Sequence, residues 1–386
     1  MRALEGHARA IASATIPAFP PLRLDLPGLP DEPSSMNLPA DRVRPEAPSP
    51  RTPKNGLGHS VHGEGDSVDD FHLVREVGGV AFAQVFLARQ ISMQQHVALN
   101  TSAERSSEPE TLAQLDHPNI VRVFEQQFCE AQQVWLFYMQ FASGGTLREV
   151  IETVRRTPTS DRDGRMLIES VDRSLNQSGY PPIDSERLRR HFISSSWAEV
   201  VCHDGIQLAN ALHYSHQQGI LHRDVKPANV LLTHDCVAKL ADFNSSFASN
   251  LQNNDAEFFL GGSLGYMSPE QIDALDPKVT TSATTLDGRA DLYSLSALLW
   301  ELLYGVRPFC EDGLSNNRTR MLTQLAENRR CVQPLPPVED KDRMRISLSN
   351  VLLTGLKPDR DERPIDGALF ARELWQCMKP QSRKLL

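Results

Sequence analysis

The chemistry in this sequence concentrates in one short stretch, Leu221-His222-Arg223-Asp224-Val225-Lys226-Pro227-Ala228-Asn229-Val230-Leu231-Leu232. An acid, a base and an amide stand at fixed offsets within it: Asp224, Lys226 and Asn229. Together these can orient a hydroxyl, neutralise a phosphate and hold a divalent metal. A second acid, Asp242, follows in Ala241-Asp242-Phe243-Asn244. A carboxylate and an amide oxygen facing each other across a hairpin suit magnesium, which accepts few protein ligands and completes its octahedron with phosphate oxygens and water. A polar loop between apolar runs is otherwise an ordinary surface turn. Further landmarks in a fixed order on both sides argue for the chemical reading.

Those side chains need a scaffold. Upstream, Phe71-His72-Leu73-Val74-Arg75-Glu76-Val77 alternates as a strand, Gly78-Gly79 is expected to turn it, and Gln84-Val85-Phe86-Leu87-Ala88-Arg89 returns. Two more strands are expected at His96–Asn100 and Trp135–Met139. A helix starts at Gly144-Gly145-Thr146-Leu147 and runs to about Arg155. The stretch from Thr157 to Ser195 is polar and rich in turn formers around an amphipathic helix, Arg165 to Leu175, and is expected to be a solvated insertion on the surface. A longer helix, from about Trp197 to Gln218, carries Val201, Leu208, Leu212 and Tyr214 and delivers the chain to the polar loop. A mostly apolar helix beginning at Asp291 and continuing to Leu303 is expected to be central, with Asp291 as its cap and bonded to the backbone of the polar loop, tying that loop to the core.

Composition narrows the classes of function. The 386 residues carry 40 Lys and Arg against 49 Asp and Glu, a net charge of −9, which argues against nucleic acid as the main partner. The six cysteines lack C-x-x-C spacing and read as reduced core thiols, which points to a cytoplasmic setting. No apolar run approaches the roughly 18 residues that a membrane helix needs, and the N-terminal residues make a poor signal peptide. Residues 1–66 are rich in Pro with Gly, Ser and Asp between, and such a segment buries too little apolar area to offset its chain entropy. It is expected to be a disordered tail, either a dispensable leader or a docking arm.

The pattern H-R-D-x-K-P-x-N followed by D-F-x resembles the eukaryotic-type Ser/Thr protein kinases, including their bacterial branch. The resemblance covers roughly residues 70 to 376 and implies an α+β, two-lobed protein kinase fold: a small antiparallel sheet with a helix, and a larger, mainly helical lobe. The kinase domain then spans 67–378, with a small lobe at 67–142 and a large lobe at 143–378 that holds the insertion at 157–195. ATP and Mg2+ are the implied cofactors and a Ser/Thr hydroxyl of a protein is the implied acceptor, with no nucleic acid or membrane partner. The tail and the insertion are candidate partner sites.

By the same resemblance, Asp224 is the base, Lys226 bridges the moving phosphoryl group, and Asn229 and Asp242 hold the metal. The nucleotide is expected among Val77, Gly78, Gly79, Val85, Ala98, Asn100, Gln140, Ala142, Leu231 and Asp242, with Met139 as gatekeeper. Glu108 takes the place of the helix glutamate. Ser263, in Gly262-Ser263-Leu264-Gly265-Tyr266-Met267-Ser268-Pro269-Glu270, lies in the segment that receives substrate. Ser245 to Gly262 is the activation segment, where Ser245, Ser246 and Ser249 could accept phosphate facing Arg223. Arg363 is expected to pair with Glu270.

Two departures stand out. The family's three glycine positions read Gly78, Val80 and Ala83, and the family's V-A-I-K reads Val97-Ala98-Leu99-Asn100. A neutral amide cannot carry a charge to the phosphates, and no lysine occurs between Lys54 and Lys226 to replace it, leaving Arg75, Arg89 and Arg105 as the candidates. Two functions remain: a Ser/Thr kinase of impaired activity, or a kinase-shaped scaffold that binds nucleotide without efficient transfer.

Overall fold

The computed structural model describes residues 62–80, 83–102, 105, 108–179, 186–243, 263–276, 285–309, 311, 313–315, 317–331 and 342–380. The tail, the activation segment with Asn244, and the linker around residue 280 lie outside the described residues.

A six-stranded sheet forms the small lobe: β1 (Ser67–Val68), β2 (Phe71–Val80), β3 (Ala83–Gln90), β4 (Gln95–Ser102), β5 (Val123–Cys129) and β6 (Val134–Gln140), ordered β1-β2-β3-β4-β6-β5. All its pairings are antiparallel. The alternation that marks β2 buries Phe71 and Leu73, which join Phe86, Ala88, Val97, Leu99, Leu136 and Tyr138 in one apolar cluster. Each such aromatic or aliphatic side chain contributes about 1.5–3 kcal/mol by leaving water. Gly78 and Gly79 do not turn the chain as expected. They lie within β2, where Gly78 pairs with Val85, Gly79 with Gln84 and Val80 with Ala83. With no side chain to oppose pairing, the strand runs on to Val80, and a register shift between Glu76 and Gly78 takes up the irregularity.

The rest is mainly helical. Helices α1 (Glu108–Leu112), α2 (Leu147–Arg156), α3 (Arg165–Gln177), α4 (Glu186–Ile193) and α5 (Trp197–Gln217) precede the polar loop. The two-stranded β7 (Val230–Leu232) and β8 (Ala238–Leu240) follow it, then α6 (Pro269–Leu275), α7 (Gly288–Tyr304), α8 (Arg318–Cys331), α9 (Arg343–Gly355) and α10 (Gly367–Cys377). Helix α5 starts at a capping box in which Ser196 and Glu199 satisfy each other's backbone amides. It buries Trp197, Val201, Leu208 and Leu212 in the main core, where α7 adds Leu295, Leu299 and Trp300 and α10 adds Phe370 and Leu374. No helix among the described residues is long and apolar enough to cross a membrane.

Two expectations need correction. Asp291 does not cap α7; Asp287 does, with an extended backbone and a side chain that accepts from the Arg289 amide. Asp291 lies one turn further in, already helical, which frees its carboxylate for other partners. Nor is 157–195 merely a solvated excursion. Met166, Leu167, Ile168, Val171 and Leu175 of α3 are buried in the large-lobe core, and Gly164 approaches the Phe192 backbone so closely that a Cβ would sit 1.9 Å from its carbonyl oxygen. The turn-forming residues at 157–164 fold into a short 3-10 turn and a bridge to Ser196, which return the chain to the core. Cys129, Cys202 and Cys236 are buried free thiols, as the spacing suggested.

Candidate active site

The polar loop hangs from α7. Asp291, fully buried, accepts from the backbone amides of His222 (2.9 Å, on Oδ2) and Arg223 (2.7 Å, on Oδ1) and lies 2.8 Å from His216 Nε2. Burial raises the carboxyl's pKa, but the His216 hydrogen bond, the His216 and His222 charges and the His222 amide outweigh it and hold Asp291 below its ordinary range. Gln271 of α6 donates to the Arg223 carbonyl at 3.0 Å. Both peptide groups of Arg223 are thus held while its φ is +66°, a left-handed backbone that a non-glycine residue keeps only when its surroundings impose it. His222 is buried, with Nε2 3.0 Å from the Ala241 carbonyl oxygen and its ring 4.4 Å from that of Phe243.

That constraint delivers the reactive groups. Asp224 is buried, and Lys226 Nζ lies 2.7 Å from its Oδ2. Asn229 Nδ2 donates to the Asp224 carbonyl (2.9 Å) and to Asp224 Oδ2 (3.1 Å), which leaves the Asn229 amide oxygen as the atom available to a cation. On the other strand of the hairpin, the Ala241 amide donates to the Asn229 carbonyl at 2.9 Å, and Asp242 follows with φ +60°. Asp242 is exposed, yet its carboxyl is pushed above the usual carboxylate range, by desolvation first and by the Asp224 charge second, with His222 and Lys226 opposing. A carboxyl whose proton affinity is raised by a neighbouring carboxylate, with an amide oxygen beside it, makes a site that a divalent cation would relieve.

The remaining predicted site residues lie on the small-lobe sheet, just past its last strand in sequence, and on β7. Val85 pairs with Asn100 across β3 and β4, Ala98 pairs with Met139, and Val97 with Gln140 across β4 and β6. Gln140 and Ala142 lie where β6 leaves the sheet, and the Gln140 amide is already bound to the Arg122 carbonyl at 2.8 Å. Leu231 is half-buried on β7 and bridges to Thr146. Gly144 passes so close to the end of β7 that a Cβ would lie 2.5 Å from the Thr233 carbonyl oxygen. Val77 is exposed at the open edge with Gly78. The side chains of Val80, Ala83, Glu108 and Ser263 lie outside the described residues.

Asn100 has its side-chain oxygen buried without a hydrogen-bond partner. None of the expected substitutes reaches it. Arg75 donates to Ser178 Oγ at the end of α3 (3.1 Å), Arg89 to Gln94, and Arg105 pairs with Glu110 and stacks on Trp135. Lys239 turns its ammonium to the Pro118 carbonyl. Further from the cleft, Arg363 grips Glu270 through two bonds of 2.6 and 2.9 Å and also donates to the carbonyls of Lys357, Pro358 and Arg289, as its predicted pairing requires.

Three supporting residues were missed. His216 sits six residues before His222, and nothing in its spacing signals a bond to α7. Gln271 was legible, since Ser268-Pro269-Glu270-Gln271 is a capping-box pattern. Asn119, whose Nδ2 donates to the Ala238 carbonyl (2.9 Å) and whose carbonyl accepts from the Leu240 amide (2.8 Å), ties the turn after α1 to β8.

Comparison with known proteins agrees with this arrangement. A family model described as protein kinase domain matches residues 187–373. The chain is 27% identical over 309 residues to serine/threonine-protein kinase PknB of Mycobacterium leprae, covering 76% of this chain and 41% of that protein. It is 28% identical over 280 residues to an Aurora kinase of Candida glabrata, covering 70% and 64%, and 27% identical over 288 residues to human serine/threonine-protein kinase ULK3, covering 71% and 49%. The chain therefore spans between two fifths and two thirds of the length of these relatives.

Proposed function

Since the chain belongs to the Ser/Thr protein kinase family, we propose that it transfers the γ-phosphoryl group of ATP to a Ser or Thr hydroxyl of a protein, with turnover slowed by Asn100. The observation that carries this reading is the convergence of Asp224, Lys226 and Asn229 on one another within hydrogen-bonding distance, next to Asp242, whose carboxyl feels the Asp224 charge. These residues suit a magnesium-bound nucleotide: Asn229 and Asp242 offer hard oxygen ligands, and the Asp224 charge that weighs on the Asp242 carboxyl is what a cation would offset. When bound, the ion supplies charge neutralisation for the phosphates.

The chain's own groups do the rest. Asp224 orients the acceptor hydroxyl and takes its proton. Lys226, its ammonium on the same carboxylate oxygen that Asn229 touches, brings a positive charge to the place where phosphate oxygens gain negative charge. Asp291, through the amides of His222 and Arg223, fixes the loop, so little reorganisation is needed at the moment of transfer. Asn100 withdraws one preorganised charge, a loss of about 3–4 kcal/mol in barrier where such contacts have been removed elsewhere.

That same asparagine favours a second reading, a scaffold that binds nucleotide and transfers poorly. The first test is a thermal shift with Mg-ATP on the full chain and on Asp242→Asn. Stabilisation of the wild type that Asp242→Asn loses supports the nucleotide site. No shift in either protein contradicts it. We assign the chain to a reducing, cytoplasmic setting on its free buried thiols.

A further inference from the structure

Helix α8 carries one residue out of character. Leu322, Leu325 and Ala326 line its buried face, in one cluster with Leu264, Met267 and Ile272. The next position on that face is Arg329, an arginine where the pattern calls for an aliphatic residue. Its side chain is 0% exposed. Nη2 lies 2.9 Å from Glu311 Oε1 and 3.4 Å from the Gly265 carbonyl oxygen, and the guanidinium sits 4.5 Å over the Phe309 ring. Nε and Nη1 are buried with no hydrogen-bond partner among the described residues. A guanidinium buried on these terms is a poor source of stability, since an apolar side chain of similar volume is often as stable in such a place or more so. Packing does not account for Arg329; the groups it touches have to.

Those contacts converge on one peptide group. Glu311 bridges two arginines, with Arg329 on Oε1 and Arg307 Nη1 at 2.7 Å from Oε2. Arg307 also lies 5.3 Å over the Tyr266 ring. Gly265 belongs to the 3-10 turn Ser263–Tyr266 and is enclosed by all three: its carbonyl accepts from Arg329, and a Cβ on it would sit 2.4 Å from Arg307 Nη1 and 3.1 Å from Glu311 Oε1. Glycine and clamp are fitted to each other, because any side chain at 265 would displace Arg307. The charges are matched, with Glu301 as a second carboxylate 3.9 Å from Arg307, so the clamp works by geometry and not by attracting a charged ligand. On the other side of Phe309, the Tyr293 ring lies nearly parallel at 6.4 Å, and Arg363, which grips Glu270, covers Tyr293. The stretch from Gly265 to Glu270 is thus held at both ends by arginines joined through one aromatic pair.

We infer that Arg329 is a positioning residue: acting through Glu311 and Arg307, it holds the Gly265 peptide so that Ser263–Tyr266 keeps the shape that docks the acceptor protein. The inference rests on the phosphotransfer reading and adds to it a residue remote from the reacting groups.

The test compares the full chain with Arg329→Met, which nearly keeps the volume and removes the charge, with Arg329→Lys, and with Glu311→Gln, at a side chain 25% exposed. Phosphate transfer from Mg-ATP to dephosphorylated casein gives kcat and a KM for each substrate, and hydrogen exchange read by mass spectrometry follows the amides of Leu264 to Met267. The casein KM should rise about tenfold in Arg329→Met and about threefold in Glu311→Gln, with kcat and the KM for Mg-ATP within about twofold of wild type. Exchange at those amides should quicken about tenfold while α5 is unchanged. Arg329→Lys, which keeps one charged donor for Glu311, should recover part of the casein affinity. An unchanged casein KM, or unchanged exchange, in both Arg329→Met and Glu311→Gln overturns the inference. A parallel rise of both KM values with a lowered thermal midpoint also overturns it, as the mark of a merely structural role. A wild type that transfers no phosphate to casein or to itself sinks the phosphotransfer reading instead, and the exchange rates then decide alone whether the clamp holds the segment.

Discussion

Replacing Asp291 by Asn keeps the side chain's shape and removes its charge and one acceptor. In the native site, Oδ1 accepts from the Arg223 amide at 2.7 Å, while Oδ2 takes the His222 amide at 2.9 Å and His216 at 2.8 Å. Asparagine fares best if its oxygen faces His222 and His216, which sets its NH2 against the Arg223 N–H. One charge-assisted bond is lost, worth about 1.5–3 kcal/mol, and a buried donor is left unpaired at about 1–3 kcal/mol. We expect the sum to be about 3–5 kcal/mol, a large share of the 5–15 kcal/mol typical of a folded domain. At about 2–4 °C per kcal/mol, the thermal midpoint falls by roughly 6–20 °C. Urea unfolding of both proteins measures the difference. Its pH dependence is a second check. The native carboxyl titrates below its ordinary value of 3.8, so its stabilisation is complete above that value and is lost as pH falls through the lower native pKa. The gap between wild type and variant should thus be flat from neutral pH to about pH 5 and shrink only in stronger acid. A gap under about 1 kcal/mol at neutral pH, or one that closes on mild acidification, would show that Asp291 does not anchor the loop.

Asn100→Lys should raise phosphate transfer about tenfold or more, measured as initial rate at saturating Mg-ATP; an unchanged rate would show that Asn100 is not what limits turnover. Arg363→Met leaves Glu270 without its fork and strips bonds from three carbonyls, so stability should fall by about 3–5 kcal/mol in urea, and a loss below about 1 kcal/mol would make that pair ornamental. Gly144→Ala drives a methyl into the Thr233 and Leu232 carbonyls at 2.5 and 2.8 Å, and should cost about 1–3 kcal/mol by thermal unfolding; an unchanged midpoint would mean that β7 shifts freely.

The polar loop was legible because its side chains are close in sequence. Asp224, Lys226 and Asn229 fall within six residues, so their spacing alone brings them together, and the structure finds them in mutual contact. Arg363 and Glu270 were legible only through the family pattern, being 93 residues apart. What sequence could not weigh was tertiary demand. Helix α3 shows an apolar stripe, but its Gly, Pro and Asp flanks suggested a solvated excursion; only the packed core reveals that Leu167 and Val171 are fully buried. Asp287 and Asp291 are both acids at the start of α7, and which one caps depends on a backbone turn that composition does not encode. The bond from Arg75 to Ser178 spans 103 residues and has no sequence signature, yet it removes Arg75 from the list of stand-ins for the missing lysine.

The central claim is that Asp224 serves as the base of a phosphoryl-transfer site. Its most direct test is incorporation of γ-labelled phosphate from Mg-ATP into the chain itself and into a Ser-containing protein acceptor, comparing wild type with Asp224→Asn. We expect slow incorporation on serine or threonine that the substitution reduces at least a hundredfold and that chelating the magnesium abolishes. Equal incorporation by both proteins, or none by wild type at any magnesium concentration, would contradict it.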